Sequence, residues 1–271
     1  MIIGRQQFHT EENTYIMGIL NLTPDSFSDG NKIKGIDDAL IRAEEMKKEG
    51  AAIIDIGGES TRPGYTPVSE EEEMERILPV IEVLKSRIDI PISVDTYKSK
   101  VAKAAILAGA DLINDIWGLK ADADMAKVIA EHQVACCLMH NRKEASYKDF
   151  SSEMLSDLKE SLLLAKEAGI LEDKIILDPG VGFAKSYEQN LEAIRILDRI
   201  KELGCPVLLG TSRKSVIGLT LDLPIEERLE GTLVTTVAAV AQGAAFVRVH
   251  DIKENYRAIQ MAQAIYRNGK K

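Results

Sequence analysis

The sequence has few aromatic residues and no excess of basic charge. Phe, Trp and Tyr make up 5% of the 271 residues, so aliphatic side chains must fill most of the core. The net charge of −9 argues against nucleic-acid binding, because that requires a basic face that replaces the counterions of the phosphates. A small anionic substrate is still allowed, since it responds to local charge.

The sequence also lacks a metal-type cysteine spacing, a signal peptide and long apolar runs. Cys136, Cys137 and Cys205 lie in apolar segments without a C-x-x-C or Cys/His pattern. We therefore expect reduced, buried thiols in a cytoplasmic protein. The first residues lack the basic-then-apolar order of a signal peptide, and no apolar run approaches the roughly 18 residues of a membrane span. No membrane association is predicted.

What recurs instead is a short apolar run, often β-branched, of the kind typical of strands covered on both faces. Eight such runs span residues 15–20, 51–57, 91–96, 111–116, 134–140, 174–180, 206–212 and 244–251. Helical periodicity lies between and after them, including 36–50, 69–84, 186–204, 224–243 and 253–270. Eight strand–helix units in about 250 residues predict an α/β fold, a (β/α)8 TIM barrel, as one domain over residues 1–271.

Several local features refine this prediction. The segment before Tyr15 is expected to form a short hairpin or cap over the barrel bottom. Gly50 is expected to end the first helix, and Ser69 with Glu72 has the spacing of a capping box. The helix over 224–243 is nearly all apolar after residue 232 and is expected to be well buried. A doubly wound sheet is the alternative fold, although no G-x-G-x-x-G turn is present.

Polar residues stand at the ends of the predicted strands, where a barrel of this type carries its active site. They are Asp55, Asp95, Thr96, Asn114, Asp115, His140, Asp178, Ser212, Arg213, Lys214, Arg248 and His250. Some have structural explanations instead. Asp55 and Asp115 are also typical of turns or helix caps, Arg213 of an outer-face charge, and His140 of a satisfied buried histidine.

Cationic and acidic residues belong to different groups of predicted strands. Arg62, Lys214, Arg248 and His250 belong to strands seven, eight and two, which with strand one are neighbours in a closed barrel and could hold a phosphate or diphosphate. Asp95, Asn114 and Asp178 belong to strands three, four and six, and their acceptor groups suit a flat heterocycle with several N–H donors. These residue types predict a heterocycle that carries a phosphate group.

Eight segments, in this order, resemble the dihydropteroate synthase family over essentially the whole chain. They are MGILNLTPDSFSDG, IDIGGESTRPG, ISVDT, INDI, LMH, LDPGVGFAKS, GTSRK and RVHD. The first two together are highly specific. Asn31 departs from the pattern, in which a second glycine often follows SDG.

The resemblance implies an enzyme of folate biosynthesis. Such an enzyme joins 4-aminobenzoate to (7,8-dihydropterin-6-yl)methyl diphosphate and releases 7,8-dihydropteroate and diphosphate. The resemblance also implies a requirement for Mg2+, a homodimer and inhibition by sulfonamides.

The family's site residues carry over to matching positions of this chain. The resemblance implies pterin binding by Asp95, Asn114, Asp178, Lys214, Met139 and Phe183, of which Met139 and Phe183 are also typical of ordinary core packing. It implies diphosphate binding by Asn21, Arg248 and His250, with Asn21 also a ligand of Mg2+. The 4-aminobenzoate site would include Thr61, Arg62, Pro63, Phe27 and Ser212, with Lys214.

The expected chemistry is SN1-like. Loss of diphosphate leaves a cation stabilised by the electron-rich dihydropterin, and the aryl amine then adds to it. The catalytic candidates are Asp29, Lys214 and Arg62, with Asp29 expected to stabilise the cation and receive the amine proton. Because water must be kept from the cation, the segment NLTPDSFSDG (21–30) is expected to close over the reacting groups.

Two alternatives stay open. A pterin-binding methyltransferase using methyltetrahydrofolate would share the barrel and its Asp and Asn residues, but it has no diphosphate to bind with Arg248 and His250. An inactive barrel acting as a binding protein would be expected to lack some of the polar set, and none is missing from the sequence.

Overall fold

The computed structural model of the chain describes residues 1–22, 35–59 and 67–267. A two-stranded antiparallel hairpin comes first, with β1 at Ile2–Ile3 and β2 at Gln6–Gln7. Ile3 and Phe8 are buried against residues of the barrel interior, among them Met17 and Phe246. The expected N-terminal hairpin is therefore confirmed, and its side chains help to close one end of the barrel.

The main sheet contains eight parallel strands within these ranges. They are β3 (Tyr15–Asn21), β4 (Ala51–Gly57), β5 (Ile92–Asp95), β6 (Leu112–Asp115), β7 (Ala135–Met139), β8 (Ile175–Asp178), β9 (Leu208–Leu209) and β10 (Phe246–Val249). Their order is β8-β7-β6-β5-β4-β3-β10-β9, and a parallel bridge between Leu177 and Val207 brings the two edge strands together. The sheet is thus a nearly closed barrel, and the (β/α)8 prediction is confirmed.

Helices follow the strands around the outside. They are α1 (Ile36–Glu49), α2 (Glu70–Arg87), α3 (Ser99–Ala108), α4 (Met125–His132), α5 (Phe150–Ala168), α6 (Tyr187–Arg195), α7 (Leu197–Lys201), α8 (Ser215–Leu221), α9 (Leu229–Ala241) and α10 (Ile252–Tyr266). None of the helices in the described parts of the chain is long and apolar enough to cross a membrane.

Local sequence signals predicted two helix ends correctly. Gly50 ends α1 with φ 111°, a conformation that glycine adopts at little cost. The Ser69 hydroxyl accepts a hydrogen bond from the backbone N–H of Glu72 at 3.1 Å, so Ser69 caps α2. By contrast, the single helix expected over 186–204 is two helices, α6 and α7, which meet at Ile196.

The burial expected for the apolar helix over 224–243 is only partly observed. In α9, Thr232, Thr236, Ala239 and Val240 are buried, whereas Val234 is 68% exposed. A barrel helix packs one face on the strands and its flanks on neighbouring helices, here chiefly α10. Apolar composition therefore did not predict that the opposite face is open.

Candidate active site

Arg248 connects two acidic residues inside the barrel mouth. Its Nε donates to Asp55 Oδ2 at 2.6 Å, and its Nη2 donates to Asp95 Oδ2 at 2.8 Å. Although burial opposes a charge, Asp55 and Asp95 raise the pKa of Arg248 above its ordinary value. The guanidinium is thus held in a fixed orientation by two carboxylates from β4 and β5.

Asp55 lies within β4, inside the barrel, and is not a turn or cap residue. It is fully buried on β4 and also accepts hydrogen bonds from Ser93 Oγ and, at 3.4 Å, from Asn114 Nδ2. The explanation as a turn or cap residue is wrong for Asp55, because its carboxylate bonds to residues of three other strands, β5, β6 and β10. It is correct for Asp115, whose carboxylate accepts from the backbone N–H groups of Trp117 and Leu119.

Asp95 offers an acceptor to a ligand. Its Oδ1 is buried and has no hydrogen-bond partner among the residues that the structure describes. Burial raises the pKa of Asp95, while Arg248 opposes that shift. A buried acceptor without a partner is costly, so a bound N–H donor would relieve the cost.

Asp178, Lys214 and Arg248 converge around Gly210. A Cβ at Gly210 would lie 3.7 Å from Asp178 Oδ2, 3.9 Å from Lys214 Nζ and 3.7 Å from Arg248 Cβ. Burial lowers the pKa of Lys214 to about 8, and Asp178 works against this shift. Burial likewise raises the pKa of Asp178, with Lys214 opposing. The absence of a side chain at residue 210 leaves room between these charges.

Two apolar side chains adjoin these charges. Met139 ends β7 beside Asp178 in the parallel register and is 4% exposed. The Phe183 ring lies in the turn after β8, and its centroid is 4.9 Å from Lys214 Nζ. Lys214 also donates to the Val181 carbonyl at 2.6 Å. The Lys214 ammonium, the Phe183 ring and the turn after β8 are therefore in contact with one another at the edge of the site.

The predicted diphosphate residues lie on neighbouring strands. Asn21 ends β3 opposite Gly57, and its Oδ1 is 3.3 Å from where a Cβ on Gly57 would stand. His250 follows β10, and its Nδ1 is 2.9 Å from Ser212 Oγ, which also accepts the His250 backbone N–H at 3.2 Å. Ser212, assigned by resemblance to the 4-aminobenzoate site, therefore lies directly beside a predicted diphosphate residue.

The remaining candidates are Arg213, which the structure describes, and residues that lie outside the described parts of the chain. Arg213 is paired with Asp251 through its Nε at 3.1 Å and its Nη2 at 2.5 Å. Five predicted residues lie outside the described parts of the chain, so their roles stay predictions: Phe27, Asp29, Thr61, Arg62 and Pro63.

Sequence reasoning missed Ser93 and discounted Asp55. A period-two signal could have found both, because alternate residues of a strand share one face. Ser93 stands two residues before Asp95 on β5, and Asp55 pairs with Ser93 in the parallel register. Polar residues at alternate positions of adjacent buried strands predict a shared cluster inside a barrel.

Comparisons with known proteins agree with this fold. The sequence profile of a family described as pterin binding enzyme matches residues 17–250. The dihydropteroate synthase of Clostridium beijerinckii is 60% identical over 268 residues, which cover 98% of this chain and 100% of that protein.

Solved structures give the same result. A dihydropteroate synthase from Clostridium difficile, crystallised with pteroic acid, matches with a TM-score of 0.92 at 50% identity, covering 96% of this chain and 100% of the other. The Yersinia pestis enzyme with a sulfonamide drug has a TM-score of 0.93 at 37% identity, covering 99% of both chains. The Xanthomonas albilineans enzyme with 4-aminobenzoic acid has a TM-score of 0.89 at 41% identity, covering 94% and 93%.

The fold and the polar barrel mouth thus define a pterin-binding enzyme of the (β/α)8 class. Within that class, high sequence identity to dihydropteroate synthases over nearly the whole chain identifies the family. The chain belongs to the dihydropteroate synthase family, whose members are transferases.

Proposed function

We propose that this protein joins (7,8-dihydropterin-6-yl)methyl diphosphate to 4-aminobenzoate, giving 7,8-dihydropteroate and diphosphate. The observation that carries the proposal is the convergence of Asp178, Lys214 and Arg248 around Gly210, together with Asp95 Oδ1, which has no hydrogen-bond partner in the described parts of the chain. Such a site offers acceptors to a heterocycle and cations to an anionic group. The pteroic acid and 4-aminobenzoic acid in the related structures support the same two substrates.

The pterin is bound by acceptors on its amino-pyrimidine edge. Asp178 and Asp95 accept its N–H groups, and Lys214 donates to its ring acceptors. Asn114 supplies an amide beside them, while Met139 and Phe183 pack against the ring faces. Burial of these groups supports the role, because hydrogen bonds to charged groups contribute more in a water-poor site.

The diphosphate is bound by Arg248, His250 and Asn21. Asp55 and Asp95 already orient Arg248, so little side-chain freedom is lost when the anion binds. Ser212 orients His250 through their hydrogen bond.

Mg2+ fits this edge of the site as a partner of the substrate. Within the described ranges, no group of three or more His, Cys, Asp or Glu side chains could hold a metal ion. Mg2+ commonly takes few protein oxygens and completes its shell with water and substrate phosphates. The Asn21 amide oxygen at the end of β3 would hold it, and the ion would supply positive charge to the leaving diphosphate.

The reaction breaks the bond between the methylene carbon and the diphosphate oxygen, and the bonding electrons leave with the diphosphate. The dihydropterin ring carries the resulting positive charge. The amine nitrogen of 4-aminobenzoate then bonds to the carbon and loses one proton. We assign stabilisation of the cation and acceptance of that proton to Asp29.

The second substrate is held by Thr61, Arg62, Pro63, Phe27 and Ser212. Arg62 and Lys214 supply positive charge to the carboxylate of 4-aminobenzoate and to the departing diphosphate. We also propose that sulfonamides compete for this site, since a related enzyme is known in complex with a sulfonamide drug.

Diphosphate release measured with and without 4-aminobenzoate tests the proposal. With Mg2+ and the pterin diphosphate present, release should depend on 4-aminobenzoate. Asp178→Asn should lower kcat/KM for the pterin substrate at least about 100-fold, by the roughly 3 kcal/mol of a lost charge-assisted contact. Asp173→Asn, an exposed change on the outside of the barrel, is the matched control and should behave as wild type.

Two results would contradict this function. Methyl transfer from methyltetrahydrofolate without diphosphate release would identify a methyltransferase. Tight binding of the pterin diphosphate by a well-folded sample, with no release in the presence of 4-aminobenzoate, would identify a binding protein.

We further propose that the protein is a cytoplasmic homodimer. Cys136, Cys137 and Cys205 are free and buried, which supports a reducing compartment. Val234 on α9 is 68% exposed, and Met261 and Ile265 on the adjacent α10 are 64% and 58% exposed. Exposed apolar residues on neighbouring helices support a contact between two copies of the chain.

A further inference from the structure

Lys185 is the hub of a hydrogen-bond cluster beside the pterin groups. Its Nζ donates to the Gly180 carbonyl at 2.9 Å, to the Phe183 carbonyl at 3.0 Å and to His140 Nδ1 at 2.8 Å. An ammonium group has three N–H donors, which match these three close acceptors in number, and the His140 carbonyl lies at a longer distance of 3.5 Å from Nζ. Two of the three acceptors belong to the turn that carries Phe183.

The third acceptor requires one particular form of His140. In its ammonium form Lys185 can only donate, so Nδ1 accepts and the ring proton lies on Nε2. Nε2 is 3.0 Å from Asp157 Oδ2, so it donates there. Burial and the Lys185 charge hold the pKa of His140 well below its ordinary value, which keeps the ring neutral. Arg142 fixes Asp157 through Nε at 2.6 Å and Nη2 at 3.2 Å.

The turn that Lys185 holds has an unusual backbone. Gly180, Gly182 and Ala184 have φ values of 67°, 90° and 42°. A left-handed residue other than glycine costs about 1 kcal/mol or more, so this turn needs external support. Further support comes from Tyr147, whose hydroxyl donates to the Ala184 carbonyl at 2.9 Å, and from Asn190, whose Oδ1 accepts the Gly182 N–H at 2.6 Å.

The same turn carries three groups that face the site. Its Gly180 N–H donates to Asp178 Oδ1 at 2.7 Å, its Val181 carbonyl accepts from Lys214, and its Phe183 ring lies against Lys214. A displacement of the turn would therefore move the pterin acceptor, the pterin cation and the aromatic ring together.

We propose that Lys185, held by neutral His140, is a positioning residue that sets the affinity for the pterin substrate by fixing this turn. The inference rests on the proposed pterin site and adds residues that do not touch the substrate. The charged groups around Lys185 are Asp178, Lys214, Asp157 and Arg142, and within the described parts of the chain its Nζ forms no hydrogen bond to any of them. The lysine therefore acts through carbonyl oxygens and an imidazole nitrogen.

A matched pair of substitutions at residue 140 separates the two ring nitrogens. In His140→Asn, the amide Oδ1 takes the place of Nδ1 and can still accept from Lys185. In His140→Gln, the amide Nε2 takes the place of ring Nε2 and can still donate to Asp157, but Lys185 loses its side-chain acceptor at residue 140. Both variants remove the imidazole, so an effect of packing alone should be similar in the two.

The readout is the Kd of the pterin diphosphate substrate, measured by calorimetry in the absence of 4-aminobenzoate. His140→Gln should weaken binding about tenfold more than His140→Asn, the effect of one hydrogen bond to a charged group. Lys185→Met should weaken it about 30-fold or more, and Lys185→Arg should restore part of the loss. In steady-state assays, the KM for the pterin substrate should rise more than the KM for 4-aminobenzoate.

The outcomes distinguish this inference from the proposed function. Equal Kd values for His140→Asn and His140→Gln would overturn the role of Lys185, as would equal rises in the two KM values. Phe183→Ala and Asp178→Asn test the pterin site itself, and normal pterin affinity in both would overturn that site. Thermal unfolding is recorded for every variant, and if Lys185→Met does not fold, the pair at residue 140 still decides.

Discussion

At the scale of single residues, this protein keeps several charges inside its barrel mouth by pairing them. Asp55 and Arg248 are 193 positions apart in the chain, yet they share a 2.6 Å hydrogen bond. An isolated buried charge would cost several kcal/mol, whereas a paired and hydrogen-bonded one is tolerated. Lys214 is different because it donates a hydrogen bond to the Val181 carbonyl, and because burial lowers its pKa its charge depends more strongly on pH.

We predict that pterin binding fails as pH rises through the pKa of Lys214. Burial lowers that pKa to about 8, so the ammonium is present below pH 8 and is lost above it. The neutral amine no longer offsets Asp178 or donates as strongly to the substrate. In the limit, kcat/KM for the pterin substrate should fall tenfold per pH unit. A profile from pH 6 to pH 10 measures this loss.

Lys214→Arg identifies the responsible group, because guanidinium stays charged over this whole range. The alkaline fall should move to higher pH in this variant, whereas Lys166→Arg, an exposed change on α5, should leave the profile as in wild type. If the fall is unmoved in Lys214→Arg, the titrating group lies elsewhere. Lys185 is then the next candidate, since burial lowers its pKa to about 7.

At the scale of elements, the turn between β8 and α6 is the part of the described site most constrained by its backbone. It packs directly against the end of β7, because a Cβ on Gly180 would lie 2.0 Å from the His140 carbonyl oxygen. Gly169, at the end of α5, has a similar φ of 88°, but a Cβ there would meet nothing within 4 Å. Gly180 and Gly169 both adopt a left-handed backbone, but only Gly180 has another atom close to the position of an added Cβ.

We predict that Gly169→Ala lowers the free energy of unfolding by about 1 kcal/mol, the cost of a left-handed alanine. Gly180→Ala should cost about 1–3 kcal/mol more, because the overlap with the His140 carbonyl forces a shift of backbone. Urea unfolding of both variants measures the difference. Equal losses would mean that the turn moves freely away from β7, which would also weaken the inference drawn for Lys185.

At the scale of the whole molecule, the two ends of the barrel differ, and the outer helices expose some apolar side chains. The N-terminal hairpin places Ile3 and Phe8 over the interior residues at one end, while the polar residues line the opposite mouth. On the outside, α9 and α10 pack against each other and still expose Val234, Met261 and Ile265. Scattered exposed apolar residues are common in monomers, whereas apolar residues that are contiguous on neighbouring helices are typical of an interface.

We predict that Val234→Glu shifts a dimer towards monomer, because burying an unpaired carboxylate in an interface is costly. Sedimentation velocity over a range of concentrations should show at least about a tenfold rise in the dimer Kd. Leu163→Glu is the control, since Leu163 is 53% exposed on α5, away from α9 and α10. Identical sedimentation of both variants and wild type would place the dimer contact elsewhere or exclude a dimer.

Much of the fold could be predicted from local patterns, and their limits are visible in particular residues. Runs of apolar residues placed all eight strands, and Gly50 and Ser69 placed two helix ends, because these signals act within a few residues. The break at Ile196 and the exposure of Val234 were not predicted. Both depend on what packs against the helix, which periodicity and apolar composition do not specify.

The sequence by itself determined the barrel class, the family and the strand ends that carry Asp95, Asn114, Asp178, Lys214 and Arg248. Only the tertiary structure decided how these residues pair: Asp55 with Arg248, Ser212 with His250, and Lys185 with His140. The physical reason is distance. Periodicity and capping depend on neighbours along the chain, whereas hydrogen bonds and burial depend on atoms that only folding brings within about 3 Å.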